Sequence, residues 1–431
     1  MLFFIAAGLF LPMSLWAQEF HSKDPQLNGA FQIAMETLLK SKEDGQFATC
    51  AKQAPVQWVT SAWNAASLCF PKEVTPSLLN INKTNTNCFP LYIMAVWHHY
   101  LVTGDMNFLQ KIWATAPQEL SEIETNGYDK KTGLFLGNLN ISVTGQANDK
   151  FLSTNCLYYE MYRVMAQMSV TTNGDNKYAS ACTRKAEKLK KKIRARFFNE
   201  KTGQLFYCLD AEGKLHAEQE GLGLAFVGMY DILSRQETRS IIDKAKFAYM
   251  GLPVLFSPKN MQLQPAVNAF FSDACHKTFR VDFFEKEWCN LANLVMKTRD
   301  AGYAPSYDAT SGVPVALTTP EDKCVQLLSA TAFARMVFNY VLGMEFSPEG
   351  LTLDPDMDMV FRFGITAISG IPYRNAKLNI VFSSDEHDKN MIVHEGREEP
   401  FTGKAFISPG SKGNIQITFP YKTNIKHLQN H

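Results

Sequence analysis

The stretch from Phe89 to Asn107 constrains the fold most, because it predicts a helix, a tight turn and the start of a second helix. Pro90 stands where the first turn of a helix tolerates proline. Gly104 can adopt the left-handed conformation that ends a helix, and Asp105 can cap the next one. Apolar residues cover most of the first helix, which predicts burial on nearly all sides. They are Leu91, Ile93, Met94, Ala95, Val96, Trp97, Tyr100, Leu101 and Val102. We predict that the chain repeats this paired-helix unit around a ring.

Composition favours a globular protein with a sizeable core, since the 431 residues are 46% hydrophobic and 20% charged. The net charge of +1 argues against nucleic acid as a partner, because nucleic-acid binding requires a basic surface. It also gives no reason to expect binding to anionic membranes.

The apolar segment from Met1 to Ala17 is too short for a comfortable membrane span. It predicts a signal peptide cleaved after Ala17 and export to the periplasm or the exterior. An uncleaved membrane anchor is the alternative. The nine cysteines include no C-x-x-C pair, so we interpret most of them as small buried apolar residues. An exported chain could still form one or two disulfides.

The pattern of the sequence changes from helical to strand-like near residue 346. Before Gly343 about twelve helices follow one another in pairs, whereas short runs of β-forming residues separated by Gly, Pro and Asn come after Phe346. The predicted fold is mainly α, an (α/α)6 barrel followed by a small C-terminal antiparallel β-sandwich. The predicted divisions are a signal peptide at 1–17, the barrel at 18–345 and the sandwich at 346–431.

Several segments resemble bacterial six-hairpin glycosidases of the rhamnosidase-like and glycogen-debranching-like type. These segments begin at Leu91, Phe151, His216, Gly251, Tyr307 and Leu328. The resemblance covers nearly the whole mature chain in order. It implies hydrolysis of a glycosidic bond in the central cleft of the barrel, with an oligosaccharide or glycoside as partner and without a cofactor. Most glycosidases use two carboxylates for this chemistry, one of them as the general acid.

The sequence departs from the pattern of that family where the family carries charged or aromatic motifs. Ser61 ends a Trp-Val-Thr-Ser segment where the family tends to have Trp-Thr-Arg-Asp, and Ser306 replaces a Glu. The loop from Asn138 to Ser142 lacks the Asp of a Trp–Asp pair. The segments Met261–Asp273 and Gln326–Ala330 lack the aromatic or His residues of their counterparts.

Three carboxylates are the candidates for catalysis. Glu218 and Glu220 flank Gln219 at a predicted helix start, and Asp149 lies in a loop as a displaced general acid. The alternative for the two glutamates is favourable placement of anions at a helix N-terminus. For Asp149 the alternative is an ordinary turn residue.

Substrate contacts are predicted for a set of aromatic and polar side chains. The set is Trp58, Trp63, His98, Asn155, Tyr159 and Asp273. Aromatic residues on inner helices are often core residues instead. The segment from Ser153 to Asn155 is also a candidate cap for the helix that follows. His98 and His99 are adjacent and cannot both face one site, so we predict no metal centre.

The leading hypothesis is an exported six-hairpin protein that acts on glycans, with weak or lost hydrolysis. A non-catalytic glycan-binding protein on the same scaffold is the first alternative. A barrel lyase or epimerase, which would need His or Tyr bases in the cleft, is the second.

Overall fold

The computed structural model describes most of the chain between residues 18 and 420. The described residues are 18–81, 88–137, 139, 145–257, 261–298, 302–315, 321–383, 391–394, 397–400 and 403–420. The predicted signal peptide at 1–17 lies outside them, as does the loop from Asn138 to Ser142 except for Leu139. Within the described residues, no helix combines the length and apolar character that a membrane span needs.

Helices dominate the structure as far as residue 341. In chain order they are α1 (Pro25–Lys40), α2 (Ala48–Gln53), α3 (Pro55–Ser61), α4 (Ser67–Cys69), α5 (Pro71–Leu79), α6 (Phe89–Thr103), α7 (Met106–Trp113), α8 (Ala116–Gly127), α9 (Leu152–Asn173), α10 (Asn176–Phe197), α11 (Gly221–Met229), α12 (Arg235–Ile242), α13 (Pro265–Lys277), α14 (Val281–Lys297), α15 (Glu321–Met336) and, later in the chain, α16 (Met357–Phe363). A π-helical turn, Ala62–Ala66, links α3 to α4, and another, Val337–Val341, follows α15.

Six inner helices form a closed ring. Helix α3 packs on α6, α6 on α9, α9 on α11, α11 on α13 and α13 on α15, and α15 returns to α3. Outer helices cover this ring, with α1 against α14 and α15, α5 against α6, α7 against α6 and α9, α10 against α9, α12 against α11 and α13, and α14 against α13. This arrangement confirms the predicted (α/α)6 barrel.

The local sequence explains why each hairpin turns where it does. In α6 every residue from Phe89 to Val102 is buried except His98, as expected for an inner helix with apolar residues all round. Gly104 has φ +68° and ends α6, and the Asp105 carboxylate accepts a hydrogen bond from the N–H of Phe108 at 2.9 Å. Both predictions for this turn are confirmed.

The strands form two larger sheets and several small pairs. In chain order they are β1 (Glu19–His21), β2 (Tyr128–Asp129), β3 (Leu134–Phe135), β4 (Lys150–Phe151), β5 (Phe198–Asn199), β6 (Gln204–Leu205), β7 (Cys208–Leu209), β8 (Leu215–His216), β9 (Gln262–Leu263), β10 (Tyr307–Asp308), β11 (Met344–Ser347), β12 (Gly350–Leu353), β13 (Ala367–Tyr373), β14 (Asn375–Ser383), β15 (Met391–His394), β16 (Arg397–Pro400), β17 (Ala405–Ile407) and β18 (Lys412–Pro420).

The C-terminal strands confirm the predicted sheet region, with two differences. The six-stranded sheet has the order β1-β13-β14-β18-β15-β16, and the three-stranded sheet has the order β11-β12-β17. Strands β14 and β18 are parallel, because the chain between them makes a long crossover that contains β15 to β17. Strand β1 comes from the N-terminal end of the described chain and pairs with β13. Neither the parallel pair nor this N-terminal strand was predicted.

A disulfide between Cys50 and Cys324 ties the two ends of the ring together. Cys50 lies on α2, directly before the first inner helix, and Cys324 lies on α15, the last inner helix. The two residues are 274 positions apart in sequence. The remaining cysteines are free, and all of them except Cys289 are buried, in agreement with their interpretation as small apolar residues.

Glu287 ties the outer helix α14 to the inner part of the barrel. Its carboxylate is 2% exposed and accepts hydrogen bonds from the N–H of Leu252 at 3.0 Å and from Asn268 Nδ2 at 2.6 Å. Gly251, at φ +139°, lets the backbone approach this closely, since a Cβ there would lie 2.7 Å from Glu287 Oε2. Burial raises the pKa of Glu287 to about 7.

Removing the disulfide should destabilise the barrel. Closing so long a loop restricts the unfolded chain, so the double variant Cys50→Ala/Cys324→Ala should lose roughly 2–5 kcal/mol of unfolding free energy in denaturant titrations. Wild type that has been unfolded and refolded in reductant should have the same unfolding free energy as the double variant. The unfolding free energy of the double variant should not change with reductant. Equal stability of wild type and double variant without reductant would show that the bridge is not formed.

The raised pKa of Glu287 predicts a pH-dependent stability. The folded protein binds the proton of the Glu287 carboxyl group more tightly than the unfolded chain does. The stabilisation from this difference is therefore present below about pH 4.5 and is lost as the pH rises through 7. Glu287→Gln should remove this dependence, so its stability relative to wild type should improve from pH 4.5 to 7 by at most about 1.4 kcal/mol per pH unit. Glu285→Gln, a partly exposed site on the same helix, is the matched control. Parallel plots of unfolding free energy against pH for wild type and Glu287→Gln would contradict the raised pKa of Glu287.

Candidate functional site

One cavity lies between three neighbouring inner helices. It has a volume of about 150 Å³ and is lined by the starts of α3 and α13 and by residues of α15 between 325 and 329. We call it the mouth cavity and define it by Val56, Gln57, Gln264, Ala266, Pro305, Val325, Leu328 and Ser329. Its polar side chains are therefore two amides and one hydroxyl.

Two of the five segments that depart from the glycosidase pattern line the mouth cavity, and the residues directly before two others line it as well. Gln57 directly precedes the Trp58–Ser61 segment, and Gln264 belongs to Met261–Asp273. Ser329 belongs to Gln326–Ala330, and Pro305 directly precedes Ser306, which is 6% exposed. These four segments are far apart in the sequence, and closure of the ring brings them together. The fifth, Asn138 to Ser142, lies outside the described residues except for Leu139.

The hydroxyl groups of Thr60 and Ser61 both donate hydrogen bonds within helix α3. Thr60 Oγ1 donates to the carbonyl of Val56 at 2.8 Å, and Ser61 Oγ donates to the carbonyl of Gln57 at 2.8 Å. Both residues are fully buried. A hydroxyl can donate to the carbonyl four residues earlier and then needs no other partner. A buried charged group at the same place would need a counter-charge or several hydrogen bonds.

A second, larger cleft of about 730 Å³ opens at the start of α11. We call it the lateral cleft and define it by Leu152, Gln204, Tyr207, Glu218, Glu220, Lys244 and Phe256. It brings together the candidate residues Glu218 and Glu220. Glu218 is exposed, whereas Glu220 is 3% exposed and accepts a hydrogen bond from Ser153 Oγ at 2.9 Å. Their catalytic role stays a prediction.

Asp149 holds loops together and is not among the lining residues of either cavity. Its carboxylate accepts hydrogen bonds from the N–H of Gln146 at 2.8 Å and from the N–H of Ala211 at 3.1 Å. Its own carbonyl accepts one from the N–H of Gly137 at 2.7 Å. These contacts match the alternative reading of Asp149 as a turn residue.

The predicted aromatic contacts with substrate lie in the protein core. Trp58 is fully buried and stacks on Phe47, with ring centroids 4.9 Å apart. Trp63 is 4% exposed and stacks on Phe270 at 4.8 Å. Tyr159 is also 4% exposed, and cations lie over its ring. Contact of these rings with sugar stays a prediction, while their packing already explains their presence.

Asn155 anchors the strand that precedes its helix. Its Oδ1 accepts from the N–H of Phe135 at 2.7 Å, and its Nδ2 donates to the carbonyls of Phe135 and Phe151. The expectation that Ser153, Thr154 and Asn155 cap the helix is wrong, because α9 already begins at Leu152 and these residues lie within its first turn. The side chains of Ser153 and Asn155 instead make tertiary hydrogen bonds.

His98 lies on α6 with its ring against Phe346, at a centroid distance of 5.4 Å. His98 is partly buried, and the loss of hydration lowers its pKa to about 3, while the nearby charge of Arg335 acts in the same direction. The imidazole is therefore neutral near pH 7 and could hydrogen-bond a hydroxyl without carrying charge. Within the part of the chain that the structure describes, no group of three His, Cys, Asp or Glu residues could hold a metal ion.

Asp273 forms a buried ion pair between two inner helices. Its Oδ2 accepts from Arg335 Nη2 at 2.7 Å and from Nε at 3.2 Å, and the hydroxyl of Tyr340 donates to Oδ1. The Arg335 guanidinium also lies about 5 Å from the ring centroids of Trp63 and Phe270. The carboxylate thus has a full set of partners that join α13 to α15.

The predicted site residues do not include Gln57, Gln264 or Tyr207. Gln264 stands at the N-cap of α13, directly before Pro265 at the first helical position. Because α3 and α13 begin at the mouth cavity, a polar residue at the start of a predicted inner helix is a usable signal for such positions.

Comparisons with known proteins agree with this class of fold. Residues 55–227 match the family model described as the bacterial alpha-L-rhamnosidase 6 hairpin glycosidase domain. No curated protein matches the chain. The family match, which covers less than half of the chain, supports the resemblance to six-hairpin glycosidases.

Solved structures share the fold. The GH78 family rhamnosidase of Bacillus sp. GL1 superposes with a TM-score of 0.67 at 16% identity, covering 95% of this chain and 44% of that chain. The rhamnose-bound rhamnosidase of Klebsiella oxytoca gives 0.53 at 11% identity, covering 73% and 64%. The GH63 mannosylglycerate hydrolase of Thermus thermophilus gives 0.54 at 9% identity, covering 72% and 100%. The chain therefore spans less than half the length of the Bacillus enzyme.

The buried ion pair predicts a large cost for neutralising Asp273. Asp273→Asn leaves Arg335 buried without its counter-charge, so unfolding free energy should fall by about 3–5 kcal/mol in denaturant titrations. Asp231→Asn breaks the surface pair with Lys277 and should cost less than about 1 kcal/mol. Similar losses in the two variants would contradict the structural role assigned to Asp273.

Proposed function

We propose that this protein is exported and binds a glycoside at the mouth cavity, with hydrolysis there weak or lost. The observation that carries the proposal is the set of neutral polar side chains, Gln57, Gln264 and Ser329, gathered in one cavity within or beside segments that depart from the glycosidase pattern. Amides and hydroxyls donate and accept hydrogen bonds from sugar hydroxyls. At neutral pH they cannot serve as a general acid or base, which glycoside hydrolysis requires.

Export is supported by the disulfide as well as by the apolar N-terminal segment. Disulfides persist in oxidising compartments and are rare in reducing ones. The Cys50–Cys324 bridge joins the ends of the ring and would be of greatest use where it stays oxidised.

Hydrolysis in the lateral cleft is the second candidate function. Two carboxylates, Glu218 and Glu220, line this cleft together with the hydroxyl of Tyr207. The tight hydrogen bond from Ser153 fixes the orientation of the Glu220 carboxylate. A fixed carboxylate beside an exposed one is an arrangement that acid and base catalysis could use.

Binding at the mouth should depend on its amides. Titration calorimetry would begin with rhamnosides and mannosylglycerate, since the structural neighbours include a rhamnosidase and a mannosylglycerate hydrolase. Gln57→Ala or Gln264→Ala should weaken binding about tenfold, as expected for the loss of one or two hydrogen bonds. Gln204→Ala, which changes an exposed amide of the lateral cleft, should bind within about twofold of wild type.

The same samples should release little or no free sugar in a chromatographic assay. Sizeable turnover that is abolished by Glu220→Gln or Asp149→Asn would overturn the proposal, and loss in Glu220→Gln would support the lateral cleft as an active site. Equal affinity in the mouth variants and wild type would overturn the mouth as the binding site.

A further inference from the structure

Helix α10 concentrates positive charge in a chain whose net charge is only +1. It carries a single acidic residue, Glu187. Its basic residues are Lys177, Arg184, Lys185, Lys188, Lys190, Lys191, Lys192, Arg194 and Arg196. So strong a local excess in a nearly neutral protein creates a positive potential on one wall of the barrel.

Four of these residues form a stripe along the helix. Lys185, Lys188, Lys192 and Arg196 are three or four positions apart, so they share one face, and all four are exposed. We call them the basic stripe. From Lys188 to Arg196 the stripe extends about 12 Å along the helix axis, at 1.5 Å per residue.

Most of the stripe is not neutralised by the protein itself. Lys185 Nζ pairs with the Glu124 carboxylate at 2.6 Å. Lys188, Lys192 and Arg196 take part in no ion pair formed within the described residues. By contrast, Arg194, on another face of the helix, is occupied by Glu200 and Glu237.

A cavity of about 360 Å³ adjoins the stripe between α8 and α10. Lys130, Lys185 and Lys188 supply cations, and Tyr128 and Tyr162 supply aromatic rings. We call it the lysine cavity. Its volume lies within the range of small-molecule sites.

The walls of the lysine cavity are held in place by the fold. The Tyr162 hydroxyl donates to Glu124 Oε1 at 2.6 Å, and Lys185 bonds the same carboxylate. The Tyr128 ring packs edge-on against Phe135 at 5.1 Å. Glu124 is thereby engaged by its two neighbours, and Lys130 and Lys188 are the cations of the cavity that pair with no carboxylate in the described part of the chain.

We propose that the lysine cavity and the basic stripe together bind an acidic polysaccharide, a glycan whose sugar rings carry carboxylate groups. One ring lies in the cavity against the tyrosines with its carboxylate near Lys130 and Lys188. The carboxylates of the neighbouring sugar units lie near Lys192 and Arg196. The length of the stripe fits several sugar units better than one. The choice of a glycan rests on the proposed function, whereas the requirement for negative charge rests on the stripe alone.

The test compares two forms of one polymer. Wild type should bind polygalacturonate at least tenfold more tightly than the same polymer with its carboxylates fully methyl-esterified, and this preference should weaken as salt rises from about 20 to about 150 mM. Lys130→Glu/Lys188→Glu should lose at least tenfold in affinity for the acidic polymer. The matched control Lys177→Glu/Lys214→Glu makes the same change in net charge at exposed sites outside the cavity and should lose less than threefold.

Three results would overturn the proposal. They are equal binding of the esterified polymer, equal loss in the two double variants, and binding of duplex DNA or phosphatidylserine vesicles through the same lysines as tightly as the acidic glycan. The mouth variant Gln264→Ala should bind polygalacturonate like wild type. The outcome at the lysine cavity is therefore distinguishable from failure of glycoside binding at the mouth.

Discussion

Closure of the ring is the constraint on which the rest of this structure depends. Each inner helix must bury nearly all of its surface, and only the contact of α15 with α3 completes that burial for the first and last helices. The Cys50–Cys324 bridge reinforces the same seam. Aromatic residues fill the interior behind it, as the stacking of Trp63 on Phe270 shows.

The site is a consequence of that closure. Gln57 and Ser329 belong to helices at opposite ends of the barrel sequence, and they share a cavity only because those helices are neighbours in space. The mouth cavity thereby collects residues within or beside the altered segments, while the charged pair of Asp273 and Arg335 lies within the wall. The six-hairpin ring thus presents neutral polar groups at the mouth cavity. Positive charge is placed elsewhere, along α10.

The sequence predicted those features that are encoded locally. The turn at Gly104 and Asp105, the burial of α6 and the change of sequence pattern near residue 346 follow from short-range patterns, and all were found. The roles of Asp273 and Asn155 could not be predicted, because their partners, Arg335 and Phe135, are distant in sequence. The same reason applies to the cysteine pair and to the parallel alignment of β14 with β18. The candidates Glu218 and Glu220 do share a cleft, but periodicity alone could not place that cleft away from the mouth cavity.

A crystal structure of the protein with a bound glycoside would test the central claim most directly. The account predicts a sugar ring at the mouth cavity, with its hydroxyls hydrogen-bonded to Gln57, Gln264 or Ser329. A sugar seated in the lateral cleft, with its glycosidic oxygen against the carboxylates of Glu218 and Glu220, would contradict it.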